Sequence, residues 1–146
     1  EILVMRMQKD LLKQSPLFTG MNSYQIRKAI LISEYKNFDD QALIIREGTT
    51  ERSMYLLLSG AVSIERHGHV VTSLKVGDVF GEIGFVRETL RTADVRAQGD
   101  VQLLRFDFER LQKDLKYFPN IVAKLNFNIS CILGERLAEV IEANQD

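Results

Sequence analysis

The chain carries a single cysteine, Cys131, among 146 residues, so it can form neither an internal disulfide nor a cysteine-cluster metal site. A lone thiol of this kind is expected to pack on a helix as a small apolar side chain. Histidine is almost as scarce. His67 and His69 are the two present; they fall at an expected hairpin tip, and Val70 to Ser73 bring no acidic partner. This argues against the clustered histidine and carboxylate ligands that a metal enzyme in a β-barrel requires. Scattered Ser, His and Asp residues offer no convincing pair of nucleophile and base, so the residues predict a non-catalytic protein with no metal and no cofactor. Basic excess is missing too: the net charge is −1, which gives no electrostatic footprint for direct nucleic-acid binding. No apolar run approaches the 18 residues of a membrane span, and Glu1 to Arg6 is too short for a signal-peptide core. A cytoplasmic protein with no membrane insertion is expected. A first residue of Glu1 in place of Met fits a processed end, an excised fragment or a cloning boundary.

What is present fits one domain with a core of its own: 146 residues, 45% of them hydrophobic. Leu3, Val4, Met7, Leu11 and Leu12 have helical spacing up to about Gln14. Ser15 to Gly20 breaks that helix, and Asn22 or Ser23 can cap a second one through Ile26, Ala29 and Ile30. From about residue 33 to 107 the texture becomes short β-type runs between turn signals. These runs are Leu43–Ile45, Met54–Leu58, Ala61–Ile64, Val70–Leu74, Ala93–Ala97 and Val101–Phe106. The separators are Gly48, Gly60, Arg66-His67-Gly68, Gly77-Asp78 and Gln98-Gly99-Asp100. Such punctuation predicts an α+β fold, an antiparallel β-roll of jelly-roll type, flanked by N-terminal helices over about residues 1–32 and two C-terminal helices over about 108–146. The first C-terminal helix is expected to reach about Tyr117, and the second starts at Pro119. Along the second, Ile121, Leu125, Ile129, Ile132, Leu133, Leu137, Val140 and Ile141 form one apolar stripe. That stripe can cover the roll, pair with the same helix of a second copy, or fold over a ligand.

One insertion interrupts the regular roll. In Phe80-Gly81-Glu82-Ile83-Gly84, the glycines leave the main chain free to approach an anion with its N–H groups. Arg91 of Leu90-Arg91-Thr92-Ala93 brings a planar charge suited to two phosphate oxygens. Glu82, an acceptor when ionised, suits a ribose hydroxyl, and Thr92 adds a hydroxyl beside the arginine. Ile83, Phe85 and Val86 have the spacing of a short helix. Taken alone, these residues also fit a turn carrying a surface ion pair. Their place between strands of a roll favours a binding loop.

Helices, a glycine-punctuated roll containing this cassette, and two further helices together resemble the cyclic-nucleotide-binding domain family, over roughly Leu17 to Glu139. The resemblance implies a regulatory domain that binds cyclic AMP or cyclic GMP and signals by movement of its C-terminal helices. It implies that Glu82 accepts from the ribose 2′-hydroxyl and that Arg91 pairs with the exocyclic phosphate oxygens. Gly81, Ile83, Gly84 and Ala93 would then supply backbone or wall contacts, and Thr92 a hydrogen bond to the phosphate and, in a syn guanine, to its exocyclic amine. Val71, Leu74 and Val95 are candidates for the apolar surface under the base, and Arg136 for the residue that caps it from the last helix. As partners it implies the nucleotide, a second copy through the last helix, and a fused or separate effector; the winged helix-turn-helix of some relatives has no counterpart before Asp146. The rival expectation is a roll that has lost its ligand and serves as a dimerisation or docking module.

Overall fold

The computed structural model describes residues 9–144. Of the first expected helix, α1 (Lys9–Gln14) is described, and Leu3, Val4 and Met7 lie outside the described residues. A 3₁₀ turn, Pro16–Phe18, follows; the Ser15 hydroxyl accepts from Leu17 N at 3.2 Å at its start. Helix α2 (Ser23–Leu31) begins at Asn22, whose side chain accepts from Gln25 N while the Gln25 side chain accepts from Asn22 N. This reciprocal pair satisfies two of the N–H groups that every helix start leaves open.

Among the described residues six strands form one antiparallel sheet: β1 (Glu34–Phe38), β2 (Leu43–Ile45), β3 (Ser53–Arg66), β4 (His69–Leu74), β5 (Val79–Phe80) and β6 (Asp94–Asp107). The order is β1-β6-β3-β4, with β2 on β6 and β5 on β3. Strand β3 replaces two expected runs, and β6 replaces another two. Gly60 and Gln98-Gly99-Asp100 therefore do not separate strands; they are irregularities within them. The β3–β6 register shifts on either side of Ser59 and resumes at Ala61 opposite Gln98. Gly60 has φ +87°, and a Cβ there would stand 2.4 Å from the Asp100 carbonyl oxygen, so glycine permits the kink and the close approach of the facing irregularity. Arg66-His67-Gly68 is a hairpin tip as expected, with positive φ at both His67 and Gly68.

Met54 to Leu58 is apolar throughout because both faces of β3 are covered. Met54, Leu56 and Leu58 pack with Phe106, Phe18, Leu111, Ile121 and Ile129 beneath the helices. Tyr55 and Leu57 point the other way, into the roll, with Phe80, Val95, Ala97 and Leu103. The period of two thus divides one strand between two cores.

The insertion after β5 forms α3 (Glu82–Val86). After β6, α4 (Phe108–Asp114) is capped by the Asp107 carboxylate, and α5 (Pro119–Ala143) starts with its proline in the first turn. Helix α4 is shorter than the expected reach to Tyr117. The apolar stripe of α5 divides: Ile121, Leu125, Ile129 and Ile132 are buried, whereas Leu137, Val140 and Ile141 are 61%, 56% and 50% exposed. Between the buried positions Asn128 donates to the carbonyls of Leu17 and Thr19 at 2.7 and 2.9 Å, tying α5 to the 3₁₀ turn. Cys131, expected to be packed, is exposed. It falls between Ile129 and Ile132 on α5, off the face they bury.

Candidate functional site

Helix α3 and the loop that follows it close one side of an open cavity of about 160 Å³. Gly81, Glu82, Ile83, Gly84, Arg91, Thr92, Ala93, Val95 and Arg136 line it, together with Ile45, Ile64, Phe80, Thr89 and Leu90. Val71 and Leu74 are not among the lining residues. Val71 lies in the irregular step of the β3–β4 hairpin, where Ile64 pairs with Thr72 and Glu65 with Val70, and it is exposed. Leu74, opposite Val62, packs against the roll interior instead. Ile45 reaches the cavity because β2 pairs it with Val95, a juxtaposition across fifty residues that carries no local sequence signal. Ile64 stood in an expected strand, and Phe80 and Leu90 in the two motifs, without a role at the site; Thr89 carried no chemical signal.

Arg91 is 7% exposed. Its backbone is pinned from both sides: Arg91 N donates to Thr49 O at 2.8 Å and Gly48 N donates to Arg91 O at 2.9 Å. Nη1 donates to the Gly81 carbonyl at 2.8 Å and Nη2 to the Ser53 carbonyl at 2.6 Å. The guanidinium lies against α3 so closely that a Cβ on Gly84 would fall 2.3 Å from Nη1 and 2.8 Å from Cζ. Gly84 is therefore the floor on which the arginine rests. Gly81, with φ +77°, starts the helix in the left-handed region, where a side chain is unfavourable.

Burial lowers the Arg91 pKa below its ordinary value, and the negative charges of Glu51 and Glu82 oppose that shift; an arginine stays charged at neutral pH all the same. Its Nε is buried without a hydrogen-bond partner among the described residues. An unpaired charged donor is costly to bury, so a cavity lined by this group fits an anion.

Glu82 is 4% exposed. Arg136, reaching down from α5, donates through Nη1 to Glu82 Oε1 and through Nη2 to the Val79 carbonyl. The site thus holds two guanidinium groups and one carboxylate, with apolar walls from β2, β3, β5 and β6. Behind it, Tyr55 stacks on Phe80 with 5.1 Å between ring centroids and donates to Glu51 at 2.6 Å, as Arg105 does at 3.1 Å. Burial, then the Glu51 carboxylate, pushes the Tyr55 phenol up. For Glu51, burial works to raise the pKa, but hydrogen bonds from Tyr55 and Arg105 and the Arg105 charge outweigh it and hold the carboxyl below 4.5. Among the described residues no three His, Cys, Asp or Glu side chains gather as metal ligands, and no helix is long and apolar enough to cross a membrane.

Both the sequence and the fold of this chain are similar to those of known proteins. The chain is 31% identical over 107 residues to the cAMP-dependent protein kinase regulatory subunit of Schizosaccharomyces pombe, covering 70% of this chain and 26% of that protein. It is 30% identical over 111 residues to the potassium/sodium hyperpolarization-activated cyclic nucleotide-gated channel 4 of Oryctolagus cuniculus, covering 76% of this chain and 9% of the channel. The chain therefore spans about a quarter or less of the length of these relatives. The fold matches the crystal structure of a cyclic nucleotide-binding domain from Methylobacillus flagellatus with a TM-score of 0.84 at 16% identity, covering 94% of this chain and 82% of that one. The family model described as the cyclic nucleotide-binding domain matches residues 35–116, which run from the second residue of β1 past the end of α4 and include the whole cassette, and the chain belongs to that family.

Proposed function

We propose that this chain is a non-catalytic regulatory domain that binds cyclic AMP, with cyclic GMP as the alternative purine. The observation that carries the reading is the convergence of buried Arg91 and buried Glu82 on α3, on a cavity whose other walls are apolar. Arg91 meets the cyclic phosphate with the donor capacity its two carbonyl partners leave over, and Glu82 offers its second oxygen to the ribose 2′-hydroxyl. Arg136 holds the first oxygen and offsets the repulsion between the Glu82 carboxylate and the anionic phosphate. Cyclic AMP is preferred as the ligand because the S. pombe relative is named for dependence on it. Thr92, exposed beside Arg91, suits either purine.

Ligand draws α3 inward and shifts an existing equilibrium in the placement of α4 and α5, which constitutes the output to an effector in the cytoplasm. The exposed distal face of α5, at Leu137, Val140 and Ile141, favours a second copy as partner. Thermal melting with millimolar cyclic AMP, cyclic GMP or linear 5′-AMP tests the ligand assignment. A cyclic nucleotide at 100 times its Kd adds about 2.7 kcal/mol of stability, and linear AMP adds little. No shift with either cyclic nucleotide overturns the assignment, and that result together with a melting temperature that rises with protein concentration identifies the docking module instead.

A further inference from the structure

Arg52 lies just before β3, outside the cavity lining, and its guanidinium joins two elements distant in sequence. Nε donates to the Phe85 carbonyl at 3.1 Å and Nη2 to the Val86 carbonyl at 3.2 Å, which belong to the last two residues of α3. The same guanidinium lies over the Phe108 ring, with Cζ 3.4 Å from the ring centroid, while the Arg52 carbonyl accepts from Phe108 N at 2.9 Å. Phe108 is the first residue of α4, and its ring meets Phe85 edge-on with 5.5 Å between centroids. One residue thus holds the carbonyl end of the cassette helix and the start of α4. The next residue, Ser53, gives its carbonyl to Arg91, so the same short segment touches the anion-binding arginine.

The last carbonyls of a helix lack partners within it and form its negative end. A planar fork can serve two of them while its face stacks on a ring, which an ammonium group cannot do. Movement of Phe85 and Val86 must either carry this fork, and Phe108 with it, or break two charge-assisted hydrogen bonds.

We propose that Arg52 is a positioning residue that locks the start of α4 to the end of the cassette helix, so that displacement of α3 passes through its guanidinium to α4 and α5. The transmission half of this inference rests on the nucleotide reading of the cavity; the lock itself does not. Arg52→Ala and Arg52→Lys in the full chain test both halves. An environment-sensitive fluorophore on Cys131, the one cysteine of the chain and exposed on α5, reports helix movement, calorimetry reports cyclic AMP affinity, and hydrogen exchange without ligand reports the lock.

The expected result for Arg52→Ala is affinity within about threefold of wild type and loss of most of the ligand-induced fluorescence change. Amides of Leu111 in α4 and of Leu115, which caps its end, are expected to exchange about tenfold faster, while those of Leu56 and Leu104 in β3 and β6 keep their protection. Arg52→Lys, with charge but no fork, falls between. Unchanged exchange in α4 with full fluorescence amplitude overturns the proposal, and so does exchange accelerated equally in β3 and β6. If neither protein binds a cyclic nucleotide but α4 still exchanges faster in Arg52→Ala, the lock stands and the ligand reading falls.

Discussion

Replacing Arg91 with alanine separates what this residue does for the fold from what it does for a ligand. Without ligand, the Gly81 and Ser53 carbonyls lose donors at 2.8 and 2.6 Å. Charged hydrogen bonds contribute about 1.5–3 kcal/mol each, but removal also relieves a desolvated guanidinium, so a net loss of about 1–3 kcal/mol is expected. The ligand term is larger. Truncating one partner of a buried charge pair costs about 2–5 kcal/mol, which corresponds to about thirty-fold to five-thousand-fold in Kd. The carbonyls already hold the guanidinium in place, so binding need not order it, and the effect should fall toward the upper part of that range. Calorimetry with cyclic AMP measures the second term, and melting without ligand measures the first. Arg91→Lys keeps the charge but loses the fork, and is expected to recover part of the affinity. A variant that binds cyclic AMP within twofold of wild type would refute the placement of the phosphate on Arg91, whatever happened to the melting temperature.

Gly84→Ala places a methyl group where Arg91 Nη1 and Cζ lie; overpacking of about 1–3 kcal/mol is expected, with cyclic AMP affinity falling about five-fold to 150-fold, and an unchanged Kd would show that the arginine rests elsewhere. Arg136→Ala leaves the buried Glu82 carboxylate without its cation; because Arg136 itself is about one-third exposed, a loss of about 1–2 kcal/mol is expected in urea unfolding without ligand, and wild-type stability would refute the pair. Glu51 has a folded pKa held below its ordinary value of 4.5, so as pH falls from there the unfolded chain takes up its proton first, and the stability Glu51 contributes is present above about 4.5 and is lost as pH falls through the lower folded value. Glu51→Gln should accordingly flatten the acid limb of the stability profile, and parallel curves below pH 5 for variant and wild type would count against this.

Local chemistry made much of the chain legible before its structure. The Asn22 start of α2, the His67-Gly68 tip, Pro119 at the start of α5 and the glycines of the cassette each act through bonds or φ angles within a few residues, so the residue type alone carries the signal. Phe80 to Ala93 could therefore be read as an anion-binding insertion, and the roll around it as antiparallel. The strand count was less accessible. Gly60 and Gly99 look like ends of strands, and only the facing strand turns them into irregularities within β3 and β6, because the hydrogen bonds that carry each strand past its glycine come from a partner some forty residues away.

What the amino-acid sequence determined by itself was the set of groups, Arg91, Glu82, Gly81 and Gly84, and the short helix that Gly81 starts and that carries Glu82 and Gly84. Tertiary structure alone decided their partners. Arg91 is held by carbonyls from two different segments, Glu82 meets an arginine 54 residues away, and Ile45 forms a wall of the cavity through its pairing with Val95. The rotation of α5 buries Ile132 and exposes Cys131 one position earlier. The physical reason is the same each time: a helix cap or a left-handed glycine is settled by its neighbours in the chain, whereas burial, ion pairing and the lining of a cavity depend on which distant surfaces the packed cores bring together.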